Sequence, residues 1–192
     1  MINSPVFYLP SPIPSFLFTF EKFQLHQLYE TMASTRFILD VHLGKLARLL
    51  RMAGFDTIYR NNLDDPEIIQ IAEDENRIVL TRDRGILKNK RVKHGHFVES
   101  TYAKEQLKEI IDVFELKESI RFLSRCIACN GTIAGVSKEE IEMELKPGTI
   151  QYFHEFFRCI DCGKVYWEGS HFDRMMDFYE EMKEELGINQ KQ

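Results

Sequence analysis

Four cysteines and several acidic residues are the side chains whose types and spacing could do chemistry in this sequence. The cysteines form two C-x-x-C pairs, Cys126 with Cys129 and Cys159 with Cys162, separated by 29 residues (130–158). Each pair can place two thiolates on one tight turn, and two such turns supply the four sulfurs that zinc prefers in a tetrahedral site. We therefore predict one structural zinc ion bound by all four cysteines.

Two other interpretations of the cysteine pairs stay open, namely two disulfides or a redox-active dithiol. A thioredoxin-like C-x-x-C lies where a strand turns into a helix, whereas Cys162 is followed by a strand-like segment, Lys164 to Trp167. The pattern also differs from a secreted disulfide framework, so we expect an intracellular, cytoplasmic protein. A closed four-sulfur site leaves no coordination position open, and its expected role is scaffolding or the presentation of a surface, for example to nucleic acid.

Acidic residues follow two of the most apolar segments. The run Phe37 to Leu39 stops at Asp40, and the run Arg77 to Thr81 leads to Asp83. Continuous apolar runs are typical of strands buried on both faces, and the acid then leaves the sheet at its carboxyl-terminal edge. Open α/β sheets place their chemistry at that edge. Asp40 and Asp83 are therefore the leading candidates for catalytic residues.

Two further acids are expected near the same edge. Glu99 follows a predicted strand, and Asp65 begins a predicted helix, with its neighbour Asp64 as the alternate. Three of these acids also have structural interpretations, because Asp65 and Asp83 could cap helices and Glu99 could be a solvated strand end. Crowded carboxylates need a cation or a proton, and oxygen-only sites suit Mg²⁺ or Mn²⁺. Such ions can activate water to attack a phosphodiester.

Positive charge lies beside these acids. Arg82 and Arg84 flank Asp83, while Lys45 and Arg48 belong to the helix predicted after the first apolar run. The net charge of -5 argues against a general polyanion binder, but local clusters can still bind a nucleic-acid backbone. These four cations are therefore candidate substrate-binding residues, with a solvated face as the alternative.

Strands and helices must alternate to position these residues. From residue 37 to about 116 the pattern changes repeatedly between short apolar runs and helical spacing, which predicts an α/β fold with a parallel sheet. Gly54 is placed to end the first helix. In the second helix, Asp65 is expected to cap and Pro66 to be the first helical residue.

The character of the chain changes after Phe122. Ser137 is expected to open a short helix that Pro147 breaks, and the aromatic run Tyr152 to Phe157 reads as a strand. The last helix carries a methionine and aromatic stripe, which we expect to dock on the ribbon or the sheet, and Gly187 should end it. The predicted division of the chain is 1–34, 35–118, 119–170 and 171–192.

The first 34 residues are expected to be a loosely ordered extension, with a targeting segment as the alternative. Residues 1–21 contain four prolines and no Lys or Arg, and the apolar run Ile13 to Phe20 is short. A secretory signal would need a positive start, and a membrane span would need a longer apolar stretch. We expect no membrane partner.

Several motifs together resemble a known family. Phe-Ile-Leu-Asp40 followed by Leu43-Gly-Lys-Leu-Ala-Arg48, then Leu63-Asp-Asp-Pro-Glu-Ile68 and Leu80-Thr-Arg-Asp-Arg84, are similar to the RNase domain at the C-terminus of Mut-seven proteins. That domain belongs to the PIN-like nuclease class. The segment from Ser124 to His171 resembles the zinc ribbon fused to it. The resemblance covers about residues 35 to 180.

This resemblance implies a metal-dependent RNase in which Asp40, Asp65 and Asp83 form the acidic set. We therefore expect hydrolysis of RNA, single-stranded rather than duplex, with Mg²⁺ or Mn²⁺ as the catalytic ion and zinc as the structural one. The rival is a non-catalytic RNA-binding or adaptor module in which the acids are caps and the ribbon binds. A nucleotide-binding domain is a weak third hypothesis, because no glycine-rich phosphate loop follows either buried strand.

Overall fold

The computed structural model describes residues 35–188, and the predicted extension, 1–34, lies outside the described residues. The first part of the fold is a four-stranded sheet in which every neighbouring pair of strands is parallel. Its order is β2-β1-β3-β4. The strands are β1 (Arg36–Leu39), β2 (Asp56–Ile58), β3 (Ile78–Thr81) and β4 (Gly95–Phe97). The predicted α/β class is confirmed.

Helices cover both faces of this sheet. Alternate side chains of a strand point to opposite faces, so Phe37 and Leu39 of β1 join one core cluster while Ile38 joins the other. The first cluster includes the buried side chains of α1 and α4, and the second those of α2 and α3. The helices are α1 (Gly44–Met52), α2 (Asp65–Asp74), α3 (Arg84–Leu87) and α4 (Ala103–Val113).

The cap of α2 differs from the prediction. Asp64, not Asp65, is the N-cap: its Oδ1 accepts a hydrogen bond from the amide of Glu67 at 2.9 Å. The carboxylate of Glu67 accepts in return from the amide of Asp64 at 3.0 Å. A reciprocal capping box needs an acid three positions after the cap, and Glu67 stands three positions after Asp64. Asp65 is therefore the first helical residue.

The second part of the fold is a three-stranded antiparallel sheet of order β5-β6-β7. The strand predicted over Tyr152 to Phe157 is wrong at its start, because Tyr152 ends a helix that Pro147 begins. Proline suits the first turn of a helix, where its missing N–H is no loss. The remaining elements are β5 (Ile133–Val136), α5 (Lys138–Ile141), α6 (Pro147–Tyr152), β6 (Phe156–Cys159), β7 (Val165–Trp167) and α7 (Ser170–Leu186).

The last helix docks on the parallel sheet. Met182 and Leu186 of α7 and the following Ile188 are buried in the core cluster that contains α1 and α4. Gly187 ends the helix in the left-handed conformation with a φ of 65°, as predicted. The docking expected from the apolar stripe is thus present on the sheet side. No helix among residues 35–188 is both long and apolar enough to cross a membrane.

A polar network fastens the first cysteine turn to strand β2. The buried guanidinium of Arg51 donates from Nε to the carbonyl of Thr57 at 2.9 Å and from Nη1 to the carbonyl of Ala128 at 2.9 Å. The side chain of Asn130 accepts from the amide of Thr57 at 2.8 Å and donates to Asp56 at 2.8 Å. Because these bonds are partly or fully buried, they hold the two sheets in a fixed relation.

Asp56 belongs to this junction between β2 and the first cysteine turn, and its pKa reflects the hydrogen bonds that it accepts there. Burial raises the pKa of the Asp56 carboxyl, but hydrogen bonds from Arg77 and Asn130 outweigh that effect, so its pKa lies below the ordinary value. Arg77 Nη1 lies 2.7 Å from Asp56 Oδ1. A lowered folded pKa means that this carboxyl stabilises the fold at neutral pH and loses that contribution as the pH falls through its folded pKa.

Asn130 offers a direct test of the junction. We expect Asn130→Ala to lower the free energy of unfolding by about 2–3 kcal/mol, because it removes two hydrogen bonds and leaves a side chain in the left-handed region. Asn130 has a φ of 78°. Asn130→Gly is the matched control, since it removes the same bonds without that strain. Thermal or denaturant unfolding measures both, and equal losses in the two variants would contradict the strain contribution.

Candidate active site

The carboxyl ends of β1 and β3 form the centre of the candidate site. Strand β1 leads through α1 to β2 on one side, whereas β2 leads through α2 to β3 on the other side of β1. Since α1 and α2 cover opposite faces, the connections diverge between β1 and β3, which makes this position the topological switch point of the sheet. Ligands of open α/β sheets bind outside the strand ends at such a switch point.

Asp40 lies at this switch point and is held by three donors. It follows β1, and only 3% of its surface is exposed. Oδ1 accepts from the amide of His42 at 2.8 Å, and Oδ2 accepts from the amide of Arg82 at 2.7 Å. The hydroxyl of Thr81 also donates to Oδ2. These bonds fix the carboxylate in one orientation at the end of the sheet.

Thr81 joins the two leading acids and was missed by the sequence analysis. Its fully buried hydroxyl donates to Asp40 and accepts from the amide of Asp83 at 2.8 Å. A single hydroxyl thereby sets the position of Asp40 relative to the chain that carries Asp83. The available signal was a hydroxyl residue closing an otherwise apolar strand. A second residue near Asp40 that the sequence patterns do not single out is His42, whose Nδ1 lies 3.5 Å from Asp40 Oδ1.

Asp83 is exposed and caps the short helix α3. Its Oδ1 accepts from the amide of Gly85 at 2.6 Å. The capping interpretation therefore holds for one oxygen of this carboxylate. The other oxygen has no hydrogen-bond partner among the described residues, so capping leaves it available to a ligand.

The two adjacent acids at the start of α2, Asp64 and Asp65, have different surroundings. Asp64 is engaged by the capping box, whereas the exposed carboxylate of Asp65 has no hydrogen-bond or ion-pair partner within residues 35–188. Asp65 starts the helix that follows β2, which places it on the carboxyl side of the parallel sheet. Glu99 is also exposed, and its Oε1 lies 3.6 Å from Nη2 of Arg84.

The predicted substrate-binding cations are not equivalent. Arg82 Nη1 donates to three successive carbonyls that follow β4, at 2.8, 2.7 and 2.6 Å, and so holds the end of that strand. The guanidinium of Arg84 lies 4.0 Å from the centre of the Phe97 ring. Lys45 and Arg48 are exposed and have no ion pair in the described part of the chain, so they are the freer candidates for phosphate contact.

The acids do not form a ready-made cluster. In the part of the chain that the structure describes, the one group of three or more His, Cys, Asp or Glu side chains close enough to hold an ion is that of the four cysteines. The edge of the sheet therefore combines one fixed carboxylate, Asp40, with exposed carboxylates at Asp65, Asp83 and Glu99.

The four cysteines come together as the spacing predicted. All are free, and their sulfurs lie within 4.8 Å of one another. Cys126 and Cys162 are 3.7 Å apart at sulfur, and Cys129 and Cys159 are 3.4 Å apart. Sulfurs at about 2.3 Å from a central ion in a tetrahedron lie about 3.8 Å from each other, so the set could hold zinc. Both distances exceed a disulfide bond of about 2.05 Å.

The two cysteine turns are built alike. The residue after each second cysteine takes the left-handed conformation, with a φ of 78° at Asn130 and 74° at Gly163. The amide of Gly131 donates to the Cys129 sulfur at 3.4 Å. Burial raises the pKa of the Cys126 thiol, but hydrogen bonds from Tyr166 and from nearby amides outweigh it and lower that pKa to about 6. Burial and the neighbouring cysteine thiols raise the pKa of Cys129, in the same turn, to about 12.

Comparison with known families identifies the chain. The sequence model described as the Mut7-C RNAse domain matches residues 35–179, well over half of the chain. The chain belongs to this family. Membership in the Mut7-C RNAse domain family indicates a nuclease-type function. Comparisons with the curated proteins and with solved structures gave no match.

The Mut7-C match confirms the resemblance found in the motifs. It begins just before β1 and ends within α7, so it includes both the parallel sheet and the four cysteines. The acidic edge and the cysteine centre are therefore two parts of one family domain rather than a nuclease-like sheet with an unrelated attachment.

Proposed function

We propose that this protein is a metal-dependent ribonuclease that hydrolyses phosphodiester bonds in single-stranded RNA. The observation that carries the proposal is the link from Asp40 through Thr81 to Asp83 at the switch point of a Mut7-C RNAse domain chain. We also propose that the four cysteines bind a structural zinc ion, and that the protein works in the cytoplasm, where free thiols persist.

The donor set fits a hard divalent ion. Asp40, Asp65 and Asp83 offer carboxylate oxygens only, which suits Mg²⁺ or Mn²⁺. Asp40 is positioned in advance, while Asp65 and the second oxygen of Asp83 are uncommitted among the described residues. Glu99 is a further candidate. When bound, such an ion supplies an activated water and stabilises charge on the phosphate under attack.

The chain itself binds and orients the RNA. Exposed Lys45 and Arg48 lie on α1, the helix that begins shortly after Asp40, and attract the phosphate backbone. Arg84 stays exposed while it contacts Phe97, so it can also reach phosphate. We assign Arg82 a positioning role at the end of β4 in addition to the predicted substrate contact.

A second candidate function has an observation in its favour. Both leading acids already make structural hydrogen bonds, Asp83 as a helix cap and Asp40 as the acceptor of three donors. A non-catalytic RNA-binding or adaptor module would need nothing more from them. In that case the ribbon would carry the interaction, and RNA affinity would not depend on Mg²⁺.

The deciding experiment is cleavage of end-labelled single-stranded RNA by the full chain. Reactions contain Mg²⁺, Mn²⁺ or no added divalent ion, and omission is preferable to EDTA because a chelator would also remove zinc. The control is the double variant Asp40→Asn, Asp83→Asn. Cleavage that needs the ion and disappears in the double variant supports the nuclease. Equal RNA binding by both proteins without cleavage supports the adaptor.

The roles of Asp64 and Asp65 can be separated in the same assay. Asp64→Ala should lower the free energy of unfolding by about 1 kcal/mol through loss of the cap, with cleavage retained. Asp65→Asn should leave stability nearly unchanged and reduce cleavage at least tenfold, because it weakens ion binding. The opposite pattern would make Asp64 the ligand. Thermal unfolding and a titration of cleavage rate against Mn²⁺ concentration measure the two effects.

A further inference from the structure

A pocket in the second half of the chain has no part in the proposed cleavage. Its volume is about 490 Å³, and its walls come from β6, β7, the first turns of α7 and the segment before β5. Pockets of about 300–1,000 Å³ are the size that binds small organic groups. It is therefore large enough to enclose part of a ligand.

The lining of this pocket is rich in aromatic rings. Phe157, Tyr166, Trp167 and Phe172 all contribute to it. Phe157 is 37% exposed although it belongs to a strand, so a large ring surface is open to solvent beside the pocket. Flat aromatic surfaces stack on nucleobases, and such stacking contributes about 1–3 kcal/mol per base.

Polar groups accompany these rings. Lys164, Glu168 and Ser170 also line the pocket, and neither charged group has an ion-pair partner among residues 35–188. Lys164 Nζ lies 5.7 Å from the Tyr166 ring centre. A lysine beside stacked rings can contact the phosphate of a bound nucleotide, while a carboxylate can accept from the amino group of a base. A purely apolar peptide would leave the charges of Lys164 and Glu168 without a partner.

We propose that this aromatic pocket binds an unpaired base of an RNA strand, with Lys164 on the adjoining phosphate. The inference rests on the proposed function, because it names a second point at which the same substrate is held. The bonds of Arg51 and Asn130 attach the first cysteine turn to β2, so the part of the fold that carries the pocket is joined to the parallel sheet by buried and partly buried hydrogen bonds.

The test uses the fluorescence of Trp167, which is the one tryptophan in the chain. The full chain with Asp83→Asn, which prevents cleavage, is titrated with an oligoadenylate of about 12 nucleotides. Saturable quenching is expected, and Phe157→Ala and Lys164→Ala should each weaken binding, the former about tenfold. Phe157→Tyr should retain it. Tyr152→Ala is the matched control, an aromatic residue 72% exposed that does not line the pocket.

Several outcomes would overturn the base-binding inference. These are unchanged affinity in both pocket variants, equal quenching by heparin, which has charge but no bases, or quenching by an apolar peptide and not by RNA. The last result would point to a protein partner instead. Because binding is measured in a variant that cannot cleave, failure of the nuclease proposal leaves this result intact. If the wild-type protein cleaves RNA and the pocket variants bind it with unchanged affinity, the base-binding inference is wrong and the nuclease proposal still holds.

Discussion

Replacement of Asp83 by asparagine is expected to lower the rate of metal-dependent RNA cleavage at least about a thousandfold, which corresponds to roughly 4 kcal/mol of lost transition-state stabilisation. The side chain is exposed, and an asparagine oxygen can still accept from the amide of Gly85. The cap should therefore survive, so the change removes charge rather than structure. Single-turnover cleavage at saturating protein gives the rate, and thermal unfolding checks the fold.

Asp40→Asn should abolish cleavage as well, but unlike Asp83→Asn it is also expected to destabilise the fold. Both oxygens of Asp40 accept hydrogen bonds, so an amide nitrogen in either place would face a donor from Thr81, Arg82 or His42. An orphaned donor of this kind costs about 1–3 kcal/mol. We therefore expect a lower unfolding midpoint for Asp40→Asn and an unchanged one for Asp83→Asn. Full activity in either variant would remove that residue from the mechanism.

Thr81 provides the matched pair that tests the link between the acids. Valine has nearly the shape of threonine but cannot bond to Asp40 or to the amide of Asp83, whereas serine keeps the hydroxyl. Cleavage should fall in Thr81→Val and recover largely in Thr81→Ser. If both variants lose the same activity while remaining folded, the methyl group matters and the positioning role of the hydroxyl is wrong.

The parts of this fold that the sequence predicted are those with local signals. Apolar runs that end in an acid marked β1 and β3, and the spacing of the cysteines brought four sulfurs together. Gly54 and Gly187 ended their helices because a left-handed residue is needed there. Each of these signals is carried by residues a few positions apart, and the cysteine set consists of two such local pairs, so the sequence pattern alone reveals them.

The parts that the sequence could not predict depend on distant partners. Thr81 is 41 positions from Asp40, and Arg51 is 77 positions from Ala128. Arg51 follows Lys45 and Arg48 in an amphipathic helix and looks like a third solvent-facing cation, so the local sequence does not indicate its burial against a cysteine turn. The cap of α2 was misassigned for another reason: two adjacent aspartates compete, and only the reach of Glu67 decides between them.

Loss of a cysteine ligand is expected to have the largest effect on stability. Cys159 is buried beside β5, and its replacement by serine should release the zinc ion that the four sulfurs are proposed to hold. Structural zinc in small domains contributes on the order of 10 kcal/mol to folding, more than a three-stranded sheet gains from its own core. Far-UV circular dichroism and a zinc assay on the purified protein measure the loss.

We expect Cys159→Ser to destabilise the second part of the fold and strand β2, and to leave the rest of the parallel sheet folded. The amide of Thr57 donates to Asn130 in the first cysteine turn, whereas the amides of Asp40 and Val98 donate within the parallel sheet. Hydrogen exchange should therefore accelerate at Thr57 while those two amides stay protected. Ile160→Ser, an exposed position in the second turn, is the control and should keep both zinc and protection. Uniform loss of protection would instead show that the two sheets unfold as one cooperative unit.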